Sequence, residues 1–172
     1  SRLIIDILNA KTMEDVFRLL QGCSFLGSFL AYQYTIDMNY SPYINFSEND
    51  FVKAGIGAIR GIKKCFLCYG NKCEDAIWYV KEHFNDLQKR YGYTSFHPLL
   101  GHEPTLIDLQ NCFCETDKYL RAKMPELRIG NVRIKQKYMP HTDPIQFFFP
   151  PKWNIVEMYK YKPIVVPTLF DL

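Results

Sequence analysis

Capping residues followed by apolar positions three and four apart recur along the first two thirds of the chain, the period of helices that each bury one face. Thr12 to Asp15 reads as a cap for a helix over 13–20, ended by Gly22. Residues 26–39 are apolar almost all round and predict a buried central helix. Ser47-Glu48-Asn49-Asp50 is a second cap signature, opening a short helix that Gly55 stops. After a turn at Gly55 and Gly57, a helix over about 58–67 puts Ile59, Ile62 and Phe66 on one face and Arg60, Lys63 and Lys64 on the other. Residues 74–90 predict one long helix closed by Gly92, 91–103 a loop, and 105–123 a helix ended by Pro125. Beyond Pro125 the texture changes. Residues 132–138 alternate with period two, placing Arg133, Lys135 and Lys137 on one side. Five of the ten prolines follow between Pro140 and Pro163, so the tail reads as extended and packed on the helical body through Phe147, Phe148, Phe149 and Trp153.

The pattern describes a mainly α domain spanning 1–172, with a helical core over about 1–125 and a Pro- and aromatic-rich tail over 126–172. A hydrophobic content of 48% supplies a core, and no run approaches the roughly 18 apolar residues of a membrane span. The N-terminus lacks signal-peptide anatomy and reads as a domain boundary. Six cysteines without an export signal imply reduced thiols and an intracellular setting, nuclear in a eukaryote and cytoplasmic in a bacterium or phage. Cys65-x2-Cys68-x4-Cys73 lacks a local fourth ligand; His83, His97, Cys112 or Cys114 would complete a site only by long-range folding, so no metal and no cofactor is expected.

Net charge is +3, and its distribution says more than its size. Residues 53–64 hold four basic side chains (Lys53, Arg60, Lys63, Lys64) and no acid. Residues 118–137 hold seven, Lys118 and Arg121 first among them, against the single acid Glu126. Between them lie Glu103, Asp108, Glu115 and Asp117. Two basic segments flanking carboxylates fit a polyanion with chemistry or base reading at its centre; a solvated surface gives the same pattern.

Three segments carry candidate chemistry. Gly55 and Gly57 allow positive φ and close backbone approach, and with the following helix N-terminus and Lys63 and Lys64 they form a phosphate clamp, or else a helix C-cap. On the 105–123 helix, Asp108, Asn111, Glu115 and Lys118 share the face opposite Leu106, Leu109, Phe113 and Leu120. A carboxylate there stabilises developing positive charge on a sugar or positions water, or is a helix-surface anion. Tyr32, Gln33, Asp37 and Asn39 bring polar groups into an apolar segment, where they read the edge of a flipped base or cap neighbouring helices. No Gly-x4-Gly-Lys-Ser/Thr phosphate loop, Gly-x-Ser-x-Gly elbow or deaminase signature is present. His97 and His102 bracket a loop just before Asp108 and either reach the same cleft or, as loop histidines commonly do, face solvent.

A Gly-turn between helices followed by a helix bearing an Asp is the helix-hairpin-helix layout of a large class of DNA glycosylases. More specifically, Phe29-Leu30-Ala31-Tyr32-Gln33, Asp37-x-Asn39-Tyr40-Ser41, Asn45-Phe46-Ser47-Glu48-x-Asp50-Phe51-Val52 and Gly55-Ile56-Gly57-Ala58 resemble the helical domain of 5-hydroxymethyluracil DNA kinases and of α-glutamyl/putrescinyl-thymine pyrophosphorylases. Leu106-Ile107-Asp108-x-Gln110-Asn111-x-Phe113-Cys114-Glu115, Arg133-Ile134-Lys135-Gln136-Lys137 and Pro150-Pro151-Lys152-Trp153 resemble later motifs of the group, so the likeness covers about 25–155. It implies a glycosylase-like helical fold serving thymine hypermodification in DNA. Asp108, Gln110, Asn111 and Glu115 would be catalytic. Lys53, Gly55, Gly57, Arg60, Lys63, Lys64, Lys118, Arg133, Lys135 and Lys137 would hold DNA, and Tyr32, Gln33, Asp37 and Asn39 would line the base pocket. The partner is DNA carrying a modified thymine or uracil, within a larger multidomain polypeptide or modification complex and away from membranes. The competing readings are a non-catalytic DNA reader and a protein-interaction domain with basic faces.

Overall fold

The structure, a computed structural model, describes residues 2–94, 97, 102–127, 143, 149–153 and 155. Those residues form α-helices α1 (Arg2–Leu8), α2 (Met13–Gln21), α3 (Ser28–Asn39), α4 (Ile56–Cys65), α5 (Cys73–Glu82), α6 (Phe84–Arg90) and α7 (Leu106–Lys123), two 3-10 turns at Pro125–Leu127 and Pro151–Trp153, and no strand. The mainly helical expectation therefore holds. None of these helices is long and apolar enough to cross a membrane.

Helices α2 and α7 start where local chemistry dictates. The Asp15 N–H donates to Thr12 Oγ1 at 3.1 Å and the Thr12 N–H donates back to Asp15 Oδ2 at 2.9 Å, a reciprocal cap. Met13, Val16, Phe17 and Leu20 then fall on one buried stripe. In α7 the tie is one-sided: the Thr105 N–H and hydroxyl both donate to Asp108 Oδ2, at 2.8 and 2.9 Å. Both ends were expected from the sequence.

Three expectations need correcting. First, α3 is not a central helix. It buries Ala31, Tyr32, Thr35, Ile36 and Asn39 against α2 and the chain that follows, while Phe29, Leu30, Tyr34 and Met38 on the other side stay exposed. Apolar composition all round leaves the buried face unspecified. Second, Ser47 to Asp50 opens no helix. Residues 47–50 form a turn, with the Asn49 N–H bonded to Ser47 Oγ, and 51–55 run without helix. Val52 and Ala54 point inward in alternation, a period of two. The first arm of a helix-hairpin-helix is thus missing here, and Gly55 caps the start of α4 rather than stopping a helix. Third, the long helix expected over 74–90 is two. The break is at His83 (φ −106°, ψ 17°), whose ring Nδ1 lies 2.9 Å from the Tyr79 carbonyl and whose ring stacks on Tyr79.

The core joins α2, α3, α4, α5 and α7, with Val16, Ala31, Ala58, Ile62, Ile77 and Leu106 all inaccessible to solvent. The closest crossing is α4 on α7. A Cβ on Gly61 would stand 2.0 Å from the Phe113 carbonyl oxygen, and one on Gly57 2.4 Å from Cys114 Sγ. Two glycines one helical turn apart therefore let the two backbones touch.

Candidate functional site at the start of α7

The Gly55–Gly57 turn serves packing. Gly55 has φ −73°, open to any residue, and its N–H donates to Gln110 Oε1 at 3.1 Å. Gly57 is buried against α7. The expected positive φ is absent at both positions, because the glycines satisfy close approach rather than a left-handed turn.

Several neighbouring cations are paired with carboxylates. Lys53 Nζ pairs with Glu74 at 2.8 Å, and the same Glu74 oxygen accepts the Ala54 N–H at 3.1 Å. Arg60, Lys64 and Arg121 converge on Asp117 at 3.1, 2.7 and 3.1 Å, and the Lys64 and Asp117 side chains are only 2% and 1% exposed. Burial works against ionisation of Asp117, but hydrogen bonds from Lys64 and Arg60 outweigh it and hold the carboxyl below its usual range. Glu74 behaves alike: burial opposes its charge, and the bonds from Lys53 and the Ala54 N–H prevail. Lys63 is exposed, and Lys118 is exposed beside Glu115. Arg133, Lys135 and Lys137 lie outside the described residues. Asp117, which ties α4 to α7, was seen in the sequence only as part of an acidic stretch.

Asp108 occupies the third position of α7. Its Oδ2 accepts the Thr105 N–H at 2.8 Å and the Thr105 hydroxyl at 2.9 Å, and lies 3.9 Å from His102 Nε2. Gln110 is buried and donates from Nε2 to Asn111 Oδ1 at 2.8 Å, whereas Asn111 and Glu115 are exposed further along the helix. Of the expected catalytic set, Asp108 alone touches the cleft wall, through Thr105 and His102.

That cleft is a pocket of about 460 Å³ lined by 45–49, Lys81, 102–103, Thr105, Lys152 and Trp153. Trp153 stacks on His102 with ring centroids 3.7 Å apart and donates its indole N–H to Glu48 Oε2 at 2.7 Å. Lys152 Nζ donates to the carbonyls of Asn39 and Phe46 at 2.8 and 3.2 Å. Burial lowers its affinity for a proton, and the Glu48 charge offsets part of that. Tyr40 packs edge-on to Trp153; burial, then the charges of Glu48 and Asp108, push its hydroxyl well above the usual tyrosine range.

The expected base-pocket residues separate. Asn39 is fully buried and grips the Phe46 backbone from both ends, donating to its carbonyl at 3.0 Å and accepting its N–H at 2.8 Å. It thus shapes the pocket floor rather than lining it. Tyr32 is buried edge-on to Phe51, Gln33 is half-buried and Asp37 exposed. Glu48, Lys152 and Trp153 were missed as site residues. The motifs that contain them, Asn45-Phe46-Ser47-Glu48-x-Asp50-Phe51-Val52 and Pro150-Pro151-Lys152-Trp153, were singled out only for the family likeness. Among the described residues no cluster of three or more His, Cys, Asp or Glu side chains is placed to hold a metal ion.

A mainly helical domain with a polar, aromatic-walled pocket at one helix start is the class these features define. Residues 1–129 match the family described as "5-hmdU DNA kinase, helical domain". The chain belongs to that family. No curated protein and no solved structure matches it.

Proposed function

We propose that this domain binds DNA and recognises or processes a modified thymine or uracil base of the 5-hydroxymethyluracil type, in the manner of a glycosylase-like module within a base-hypermodification enzyme. The observation that carries the reading is the pocket at the start of α7. Its volume of about 460 Å³ falls in the range of small-molecule sites. His102 and Trp153 offer an aromatic wall for a base, and Asp108 stands behind His102 at a helix N-terminus, where a negative charge is favoured. Asp108 would orient His102 and stabilise positive charge developing on a sugar, or orient a hydroxymethyl group. Exposed Lys63 and Lys118, with Arg133, Lys135 and Lys137, would supply backbone phosphate contacts. The chain carries no phosphate-loop motif, so the proposal assigns it no kinase step.

The family description supports the substrate class, since it names a domain of a kinase for 5-hmdU in DNA. A reader that leaves the base unchanged would use the same pocket. Incubation with a 5-hydroxymethyluracil duplex, followed by nucleoside mass spectrometry, separates the two. Asp108→Asn should abolish any product while sparing DNA binding, or, in a reader, change the preference among thymine, uracil and hydroxymethyluracil. Equal affinity of the wild-type chain for modified and unmodified DNA, with no product, would overturn both.

A further inference from the structure

We propose that the helical body carries a receptor site for a short Pro-Pro-Lys-Trp segment, which its own residues 150–153 occupy and which the same sequence on a separate chain would enter. The inference goes beyond the base-handling reading and does not depend on it. The groups that receive the segment, on Asn39, Tyr40, Phe46, Glu48 and His102, all lie in the matched region 1–129, and the segment lies beyond it. Lys152 reaches back 113 positions to Asn39, and Trp153 reaches back 105 to Glu48. Local chain geometry does not bring such partners together, and closing a long loop costs entropy, so the contacts themselves must hold the segment.

Two anchors do so. The Lys152 ammonium donates to the Asn39 carbonyl at 2.8 Å and to the Phe46 carbonyl at 3.2 Å. Asn39 is the last residue of α3, so its carbonyl is one that the helix cannot bond itself, at the end where a positive charge is favoured. The Asn39 side chain, bonded to both the N–H and the carbonyl of Phe46, holds the two acceptors side by side. The site therefore presents two fixed acceptors to one ammonium, and an uncharged side chain would forfeit both bonds.

Trp153 is specified from three sides. Its face lies on the His102 ring, with centroids 3.7 Å and planes 21° apart, and Tyr40 meets it edge-on at 5.9 Å. Its indole N–H donates to Glu48 Oε2 at 2.7 Å. The Tyr40 hydroxyl also stands in hydrogen-bonding relation to that carboxylate, which is 9% exposed. Phenylalanine would supply the ring without the N–H.

The segment is shaped for both anchors. The Trp153 N–H donates to the Pro150 carbonyl at 3.0 Å, closing the Pro151–Trp153 turn. That turn sends adjacent side chains to separate places, Lys152 to the C-terminal end of α3 and Trp153 to the residues before α7. Two prolines fix φ in the undocked chain, so less conformational freedom is lost on docking. Once docked, Lys152 and Trp153 form part of the pocket wall, so the segment completes the pocket.

The test uses the full chain with Lys152→Ala and Trp153→Ala together, which empties the receptor, and a labelled peptide of residues 149–155, Phe-Pro-Pro-Lys-Trp-Asn-Ile. Fluorescence anisotropy should show saturable binding to this variant, and binding about tenfold weaker or more to the wild-type chain, whose own segment competes. Norleucine in place of the peptide's lysine, or alanine in place of its tryptophan, should weaken binding about tenfold or more. No saturable binding to the folded variant, or equal binding of the three peptides, overturns the receptor. A second arm needs no variant. In the isotope-labelled wild-type chain the Trp153 indole, one of two in the sequence, should show a nuclear Overhauser contact to the His102 ring. Excess native peptide should shift the Trp153 indole N–H signal, and the norleucine peptide should not. Absence of the contact, or the same response to both peptides, overturns the proposal even where the double variant is unfolded.

Discussion

Gly61→Ala tests whether glycine in α4 serves helix packing. An alanine Cβ at this position would stand 2.0 Å from the Phe113 carbonyl oxygen and 2.8 Å from its carbonyl carbon. Both atoms are α7 backbone, so no side-chain rotation relieves the clash, and the helices must part by more than an ångström. Alanine gains about 1 kcal/mol over glycine in a helix interior. Overpacking of a close contact costs about 1–3 kcal/mol, and more where backbone must move. The separation also stretches the ion pairs of Arg60 and Lys64 on α4 with Asp117 on α7, which span the same crossing. The net expectation is a loss of about 2 kcal/mol or more, a fall of roughly 4–8 °C in Tm for a chain of this size. Urea and thermal unfolding followed by circular dichroism measure it. Gly22→Ala is the matched control, because its Cβ would meet only ordinary contacts at 3.4 and 3.6 Å. Gly57→Ala should lie between, since its obstacle at 2.4 Å is the end of the Cys114 side chain, and Cys114→Ala should rescue it. If Gly61→Ala is as stable as the wild type, the close crossing is wrong and these glycines are free for another role.

Asp117→Asn should cost about 3–5 kcal/mol, because it leaves three inward-facing cations without their anion. The Asp117 carboxyl is depressed in the folded state, so its contribution is complete above its ordinary value of 3.8 and is lost as pH falls through the lower folded value. Wild-type stability should therefore drop more steeply than that of Asp117→Asn between roughly pH 5 and pH 2, and parallel curves would refute the linkage. Lys63→Glu should weaken DNA binding and flatten its salt dependence while leaving the fold intact; Lys64→Glu should unfold the domain, and a folded Lys64→Glu would contradict its burial. Thr105→Ala should cost about 1 kcal/mol through loss of the α7 cap, read by urea unfolding. No stoichiometric metal should survive purification, and one equivalent of zinc or iron–sulfur absorbance would bring Cys65, Cys68 and Cys73 into the structural account.

What could be read from the chain depended on how far apart the deciding partners lie. Thr12 with Asp15 and Thr105 with Asp108 each settle a helix start across three residues, and both were legible. Ser47 to Asp50 carries the same local signature and opens only a turn, with Ser47 Oγ accepting the Asn49 N–H rather than that of Asp50. Glycine posed a different problem. A Gly-x-Gly pair reads equally as a left-handed turn or as a close approach, and the structure uses the second. The overlooked signal was Gly57-x3-Gly61, a spacing that puts both residues on one helix face, as small residues are placed where helices touch. The cations of α4 looked like a phosphate face because helical periodicity separates Arg60 and Lys64 from the apolar stripe. It cannot reveal that Asp117, on another helix, faces them. The pocket is the extreme case. Its wall is drawn from the 45–49 turn, Lys81, the residues before α7 and the 152–153 segment, so no local pattern contains it. Asp108 and His102 were legible as neighbours because six positions separate them. Glu48 acquires meaning only once Trp153, far along the chain, donates its indole N–H to it.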